Sequence, residues 1–143
     1  MLSLTCKTAI KAVIYLATKF DSGEKCGIKE IAKYINASEH TVGKMLQTLV
    51  REDIIKSTKG PAGGFYITAS QKVQPIIRIV HAIDGQSVFK QCGLGLSKCS
   101  ATHPCPLHDQ YMVVRSLYED LCKSNTLAGL LQPVSTGLAH LAG

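Results

Sequence analysis

The chain has no run of about eighteen uncharged apolar residues, so no membrane-spanning helix is expected. Its opening, Met1-Leu2-Ser3-Leu4-Thr5-Cys6-Lys7, lacks the charged head, apolar middle and small-residue cleavage site of a secretory signal. The tail, Ala139-His140-Leu141-Ala142-Gly143, carries no lipidation box. A cytoplasmic location with no membrane partner is therefore expected. The patterns of common enzymes are missing too. No paired acid and base, no nucleophile elbow and no phosphate loop can be found, since Gly60–Gly64 is not followed by Lys-Ser or Lys-Thr. His40 and His81 have no evident catalytic partners, so the chain is not expected to be an enzyme. No internal repeat or low-complexity segment occurs.

Acidic residues are few: 10 against 16 lysines and arginines, a net charge of +6. The excess is uneven. Residues 1–72 hold 11 basic and 6 acidic side chains, and residues 73–143 hold 5 and 4. A positive field on one half suits a phosphate-backbone ligand, although a solvated basic surface has the same composition. With 45% hydrophobic residues, 143 residues suffice for a globular core. Six cysteines without a secretory signal do not make a disulfide scaffold. Cys6, Cys26 and Cys122 lie scattered in apolar helical surroundings, as small buried hydrophobes do.

The apolar spacing predicts a helix over about Lys7–Phe20, then a polar turn, then a second helix over Ile28–Ile35 broken by Asn36-Ala37. Ser38 is placed to cap a third helix running to about Glu52, with Glu39 complementing its dipole. Val42, Met45, Leu46 and Leu49 form its inner face, and His40, Thr41, Lys44 and Thr48 its outer one. Two helices joined by a three-residue turn fit a helix-turn-helix. Residues 54–58 and 64–68 follow as two short strands around Lys59-Gly60-Pro61-Ala62-Gly63-Gly64. A hairpin directly after such a helix is a wing. Its Gly60 and Gly63 admit close backbone approach, Pro61 stiffens the tip, and Lys56 and Lys59 can meet phosphate or the minor groove.

A fourth helix is expected over about Val73–Ile83, with Pro75 in its first turn, followed by a glycine- and cysteine-rich loop to about His103. Pro104 and Pro106 bracket the start of a long helix from about Leu107 to Leu121 or beyond. Met112, Val113, Leu117, Tyr118 and Leu121 give that helix an apolar face with little chain left to cover it, so a symmetric partner is expected. The expected fold is mainly α with a small β-hairpin wing. A winged helix-turn-helix occupies residues 1–72. A linker helix, a cysteine loop and a C-terminal dimerisation helix fill residues 73–143.

Three cysteines crowd the loop. Six residues separate Cys92 from Cys99, five separate Cys99 from Cys105, and His108 lies three beyond. Thiolates on a flexible loop can converge on a soft metal. They can also form a reversible disulfide, hold a structural zinc with a histidine, or do nothing.

Several stretches together resemble the IscR/NsrR (Rrf-type) winged-helix regulators, over nearly the whole chain to about Leu131. They are Lys7–Ala17, Ile28-Lys29-Glu30-Ile31-Ala32, the wing Lys59–Phe65, and Ile79-Val80-His81-Ala82-Ile83-Asp84-Gly85. The resemblance implies a homodimer on a pseudo-palindromic double-stranded DNA operator. Ser38, His40, Thr41 and Lys44 fall where that family's recognition helix meets DNA, and Lys59 where a basic wing residue enters the minor groove. It further implies an iron–sulfur cluster, [2Fe–2S] in type, on Cys92, Cys99, Cys105 and His108. In another branch the fourth ligand is an aspartate near the N-terminus, and the matching position here is Lys7. Some members respond instead to a bound enzyme or metabolite, for which the long helix and residues 125–143 would be the docking surface.

Overall fold

The computed structural model describes residues 2–143. Helix α1 (Leu4–Thr18) begins where Ser3 turns extended and its Oγ accepts the Cys6 N–H at 3.0 Å. That start is one turn earlier than the apolar spacing suggested. A second tether explains it: the Asp84 carboxylate accepts both the Ser3 N–H, at 2.8 Å, and the Ser3 hydroxyl. Ala9, Ala12, Val13 and Leu16 form the buried stripe of α1.

Helix α2 (Ile28–Ile35) has the bounds its pattern predicts, and Asn36 ends it in the left-handed conformation that asparagine tolerates. Tyr15 of α1 stacks on Tyr34 at 4.1 Å and donates its hydroxyl to Glu30 Oε1 at 2.9 Å, pinning α2 in place. Helix α3 (Glu39–Arg51) follows on the Ser38 cap and buries Val42, Met45, Leu46 and Leu49.

The wing is the antiparallel pair β1 (Lys56–Thr58) and β2 (Gly64–Tyr66), in register Lys56↔Tyr66 and Thr58↔Gly64. Ile54, Ile55 and Ile67, at the outer ends of the expected strands, are instead buried in the core. Cys26 pairs with β2 as well. Its N–H donates to the Phe65 carbonyl at 2.9 Å, and its carbonyl accepts the Phe65 N–H at 2.8 Å. Gly64 makes this possible, because at φ +141° a Cβ there would meet the Cys26 carbonyl oxygen at 2.9 Å.

Beyond the wing the chain differs from expectation. A short helix α4 (Ala69–Lys72) is set by a capping box between Thr68 and Gln71. Helix α5 (Ile77–Asp84) starts four residues later than Val73. Between them the chain serves other partners: the Ile76 N–H donates to the Asn125 carbonyl (2.9 Å), and the Gln74 carbonyl accepts the Leu127 N–H (3.1 Å). The buried Gln71 and Gln74 amides donate to the carbonyls of Asp53 (3.1 Å) and Ile54 (2.9 Å), so the base of the wing is satisfied from this linker.

A single 3-10 turn, Gln86–Phe89, leads into the cysteine loop. Helix α6 (His108–Ser124) then carries an apolar face bare of cover: Val113 is 58% exposed and Leu117 66%, with Met112, Val114 and Leu121 exposed beside them. Last comes α7 (Leu127–Ser135), capped by Thr126, whose Oγ1 accepts the Gly129 N–H at 3.1 Å. It returns to pack on α1 and fully buries Leu127. One hydrophobic core runs from Leu2 to Leu127, joining α1, α3, α5 and α7. Among the described residues no helix is long and apolar enough to cross a membrane.

Candidate nucleic-acid interface and candidate metal centre

Helix α3 presents its outer face beside the start of α1 and the end of α5. His40, Thr41, Lys44 and Thr48 line a surface cavity of about 360 Å³ together with Thr5, Met45, Ala82 and Ile83. Ser38 is tied locally. Its Oγ accepts the Thr41 N–H at 3.2 Å and donates to the Thr41 hydroxyl at 2.9 Å. Both hydroxyls remain exposed, and Thr41 Oγ1 keeps its own proton to donate.

The two wing lysines differ. Lys56 Nζ donates to Asp53 Oδ1 at 2.7 Å, and this bond holds the Asp53 carboxyl below and the Lys56 ammonium above their ordinary values. Its charge is therefore partly spent within the chain. Lys59 stands exposed at the turn, where the Gly63 N–H donates to the Gly60 carbonyl at 2.9 Å and Pro61 forms the tip. A second surface cavity, about 330 Å³, joins Ser38 and Thr41 to Thr5, Thr8 and Lys11 of α1. The α1 residues give no signal in the sequence. Their contact with α3 arises only when the helices pack.

The cysteine loop folds back on itself so that the sulfurs of Cys92, Cys99 and Cys105 all lie within 4.8 Å of one another. Cys92 Sγ and Cys105 Sγ are 3.5 Å apart, and Cys99 Sγ is 3.2 Å from His108 Nδ1. Backbone amides sustain the arrangement: the Leu94 N–H points to Cys92 Sγ (3.4 Å) and the Cys105 N–H to Cys99 Sγ (3.4 Å). Backbone donors, the Leu96 N–H foremost, pull the Cys92 thiol down to about 7. Burial pushes Cys105 the other way.

Ligands at about 2.3 Å from one tetrahedral metal sit roughly 3.8 Å apart, close to the spacing of these sulfurs. Three thiolates and an imidazole are also a donor set that iron–sulfur centres accept. The spacing thus fits one soft metal, and the donor set also admits a small cluster. His108 meets the set at Cys99, from the first turn of α6. His103 is exposed and, through its backbone, turns the loop against Ser100.

The three remaining thiols are of another kind. Cys6, Cys26 and Cys122 are fully buried, and burial pushes Cys6 up to about 12 and Cys26 to about 11.

Comparison with known proteins shows the family and the fold. Residues 2–133 match the Rrf2 family model, described as an iron-dependent transcriptional regulator. A relative from Aquifex aeolicus (strain VF5), named for the HTH-type transcriptional regulators, is 29% identical over 129 residues, 89% of this chain and 88% of its own. Among solved structures, CymR, the global cysteine regulator of B. subtilis, superposes with a TM-score of 0.75 at 20% identity, covering 92% of this chain and 96% of that one. IscR of T. potens gives 0.72 at 20% identity, covering 98% and 92%.

Proposed function

The chain belongs to the Rrf2 family of transcriptional regulators, and from that premise we propose that it is a dimeric operator-binding regulator controlled through its cysteine loop. Residues 1–72 are the DNA-binding unit. Helix α3 enters the major groove with Ser38, His40, Thr41 and Lys44 towards base edges and phosphates, while Lys59 at the wing tip reaches the minor groove. Gly60, Pro61 and Gly63 let the wing backbone approach, and Lys56 takes a phosphate if it exchanges Asp53 for it. Residues 73–143 are the sensing and dimer-forming unit, in which the bare face of α6 meets its symmetric copy.

The convergence of three thiols within 4.8 Å carries this reading. Cys92, Cys99, Cys105 and His108 would hold an iron–sulfur cluster of the [2Fe–2S] type, which when bound supplies a restraint on the loop that oxidants and nitric oxide can remove. The chain itself supplies the transmission. The loop is joined through the 3-10 turn to Asp84, and the Asp84 carboxylate grips the Ser3 end of α1. The other loop end continues into α6, on which the partner sits. Restraining or freeing the loop thereby biases the angle between the two winged units. A bias of about 1–3 kcal/mol changes operator affinity roughly 5- to 150-fold.

In vitro selection from a random duplex pool under anaerobic conditions tests this function. Enrichment of inverted repeats with half-sites about one helical turn apart is the expected result. No enrichment above background would remove the DNA-binding reading.

One observation favours a second mode of control on the same loop. Cys92 and Cys105, 3.5 Å apart with Cys92 drawn down to about 7, are disposed to close to a disulfide when an oxidised thiol or a peroxide takes up their two electrons, without any metal.

A further inference from the structure

The first arm of the cysteine loop does not hang free. Helix α6 places Arg115 two turns after His108, and its Nη1 donates to two successive backbone carbonyls, Lys90 and Gln91, at 2.7 Å each. Those carbonyls immediately precede Cys92. The guanidinium also lies over the Tyr111 ring, 5.8 Å from its centre. The same ring closes against the residue after Cys92: a Cβ on Gly93 would meet it at 2.7 Å. A second face of the guanidinium is sealed, for Arg115 Nε is buried without a hydrogen-bond partner. Cys92 is thus clasped on both sides, by Arg115 before it and Tyr111 after it, and both clasps come from the helix proposed to carry the dimer contact.

We propose that Arg115 and Tyr111 are positioning residues that hold Cys92 in register with Cys99 and Cys105. This rests on the loop being the sensing site. Both bonds leave the one Nη1 amino group, whose two N–H directions are fixed in the guanidinium plane, whereas a lysine ammonium rotates on a flexible stem. Without these bonds the Lys90 and Gln91 carbonyls lose their anchor on α6, and Cys92 is held by the turn that follows it and by Tyr111 alone, so its distance from Cys105 is less tightly fixed. The contact spans 24 residues of sequence, which is why no motif betrays it.

Two readouts test the clasp. The first is anaerobic titration of the reduced, metal-free dimer with cobalt(II), read by thiolate charge-transfer absorption. Arg115→Gln should weaken cobalt binding by about 10- to 100-fold, the usual effect of removing a group that orients a ligand. Arg115→Lys should fall between Arg115→Gln and the parent chain. The second is the rate at which Cys92 and Cys105 close to a disulfide under oxidised glutathione, in a Cys99→Ser background. It should drop on Arg115→Gln.

Gly93→Ala, whose methyl would meet the Tyr111 ring, should match Arg115→Gln in both assays, and Tyr111→Ala alone should lower both readouts as well. Unchanged cobalt affinity and closure rate in Arg115→Gln would overturn the proposal. If the parent chain bound no cobalt, the metal reading of the loop would fall, and the closure rate alone would decide the clasp. Thermal midpoints within a few degrees of the parent exclude global unfolding as the cause.

Discussion

Replacing Leu117 on α6 tests the symmetric partner most sharply. Leu117 is 66% exposed and sits one turn from Val113 on one side and Leu121 on the other, both exposed, so the three form one stripe. Burying a whole leucine side chain contributes about 1.5–3 kcal/mol. Two thirds of that is about 1–2 kcal/mol, and a symmetric dimer counts it twice, giving roughly 2–4 kcal/mol. Since about 1.4 kcal/mol is tenfold in an equilibrium constant, Leu117→Ala should weaken dimerisation about 30- to 700-fold. Leu117→Glu should weaken it further, because two carboxylates would have to leave water. Sedimentation velocity over a dilution series measures this. Circular dichroism should show little change, since the side chain is not part of the protomer's own core. A dimer dissociation constant unaltered by Leu117→Ala would refute the assignment of this face, as would a parent chain that stays monomeric at high concentration.

Other outcomes follow from the same structure. Cys99→Ala should abolish the visible chromophore while leaving the dimer folded, by absorption and gel filtration, because Cys99 lies outside the core. Lys59→Gln should weaken duplex binding and lower the slope of log affinity against log salt by about two, one lost ionic contact in each protomer of the dimer. Leu46→Ala, at a position with no exposure, should cost about 2–5 kcal/mol in a urea titration. Alkylation of the native, metal-free protein at pH 8 should modify Cys92 first and spare Cys6 and Cys26. Thiols raised to about 12 and 11 are neutral at that pH, and only denaturation or a far higher pH should release them. Mass spectrometry of the labelled peptides reads the result.

The parts of the fold that local chemistry controls were legible in the residues. Ile28–Ile35 followed from four apolar positions and the left-handed Asn36, and α3 from the Ser38 cap. The wing followed from its glycines and proline, and the exposed face of α6 from spacing. What distant contacts decide was not legible. The Asp84 carboxylate draws the start of α1 back to Leu4, across 81 residues. Pairing of Gln74 with Leu127 and of Ile76 with Asn125 delays the expected fourth helix from Val73 to Ile77, and α4 before it was not expected. Thr126 and the spacing of Leu127, Leu130, Leu131 and Val134 announced α7 locally, but Gly129 and Pro133 masked a helix that Pro133 does not in fact break. Cys26 as a partner of the wing had no local signal at all. Within the candidate metal site, the three cysteines and His108 were readable as donors. Their convergence, and the clasp of Arg115 and Tyr111, depend on how the loop lies on α6.

The most direct test of the account is anaerobic purification followed by a visible spectrum and assay of iron and acid-labile sulfide per chain. The account predicts a coloured protein with about two iron and two sulfide, the composition of a [2Fe–2S] centre. A colourless protein that stays colourless after anaerobic reconstitution would contradict it, leaving the thiols of Cys92 and Cys105 to do the sensing alone.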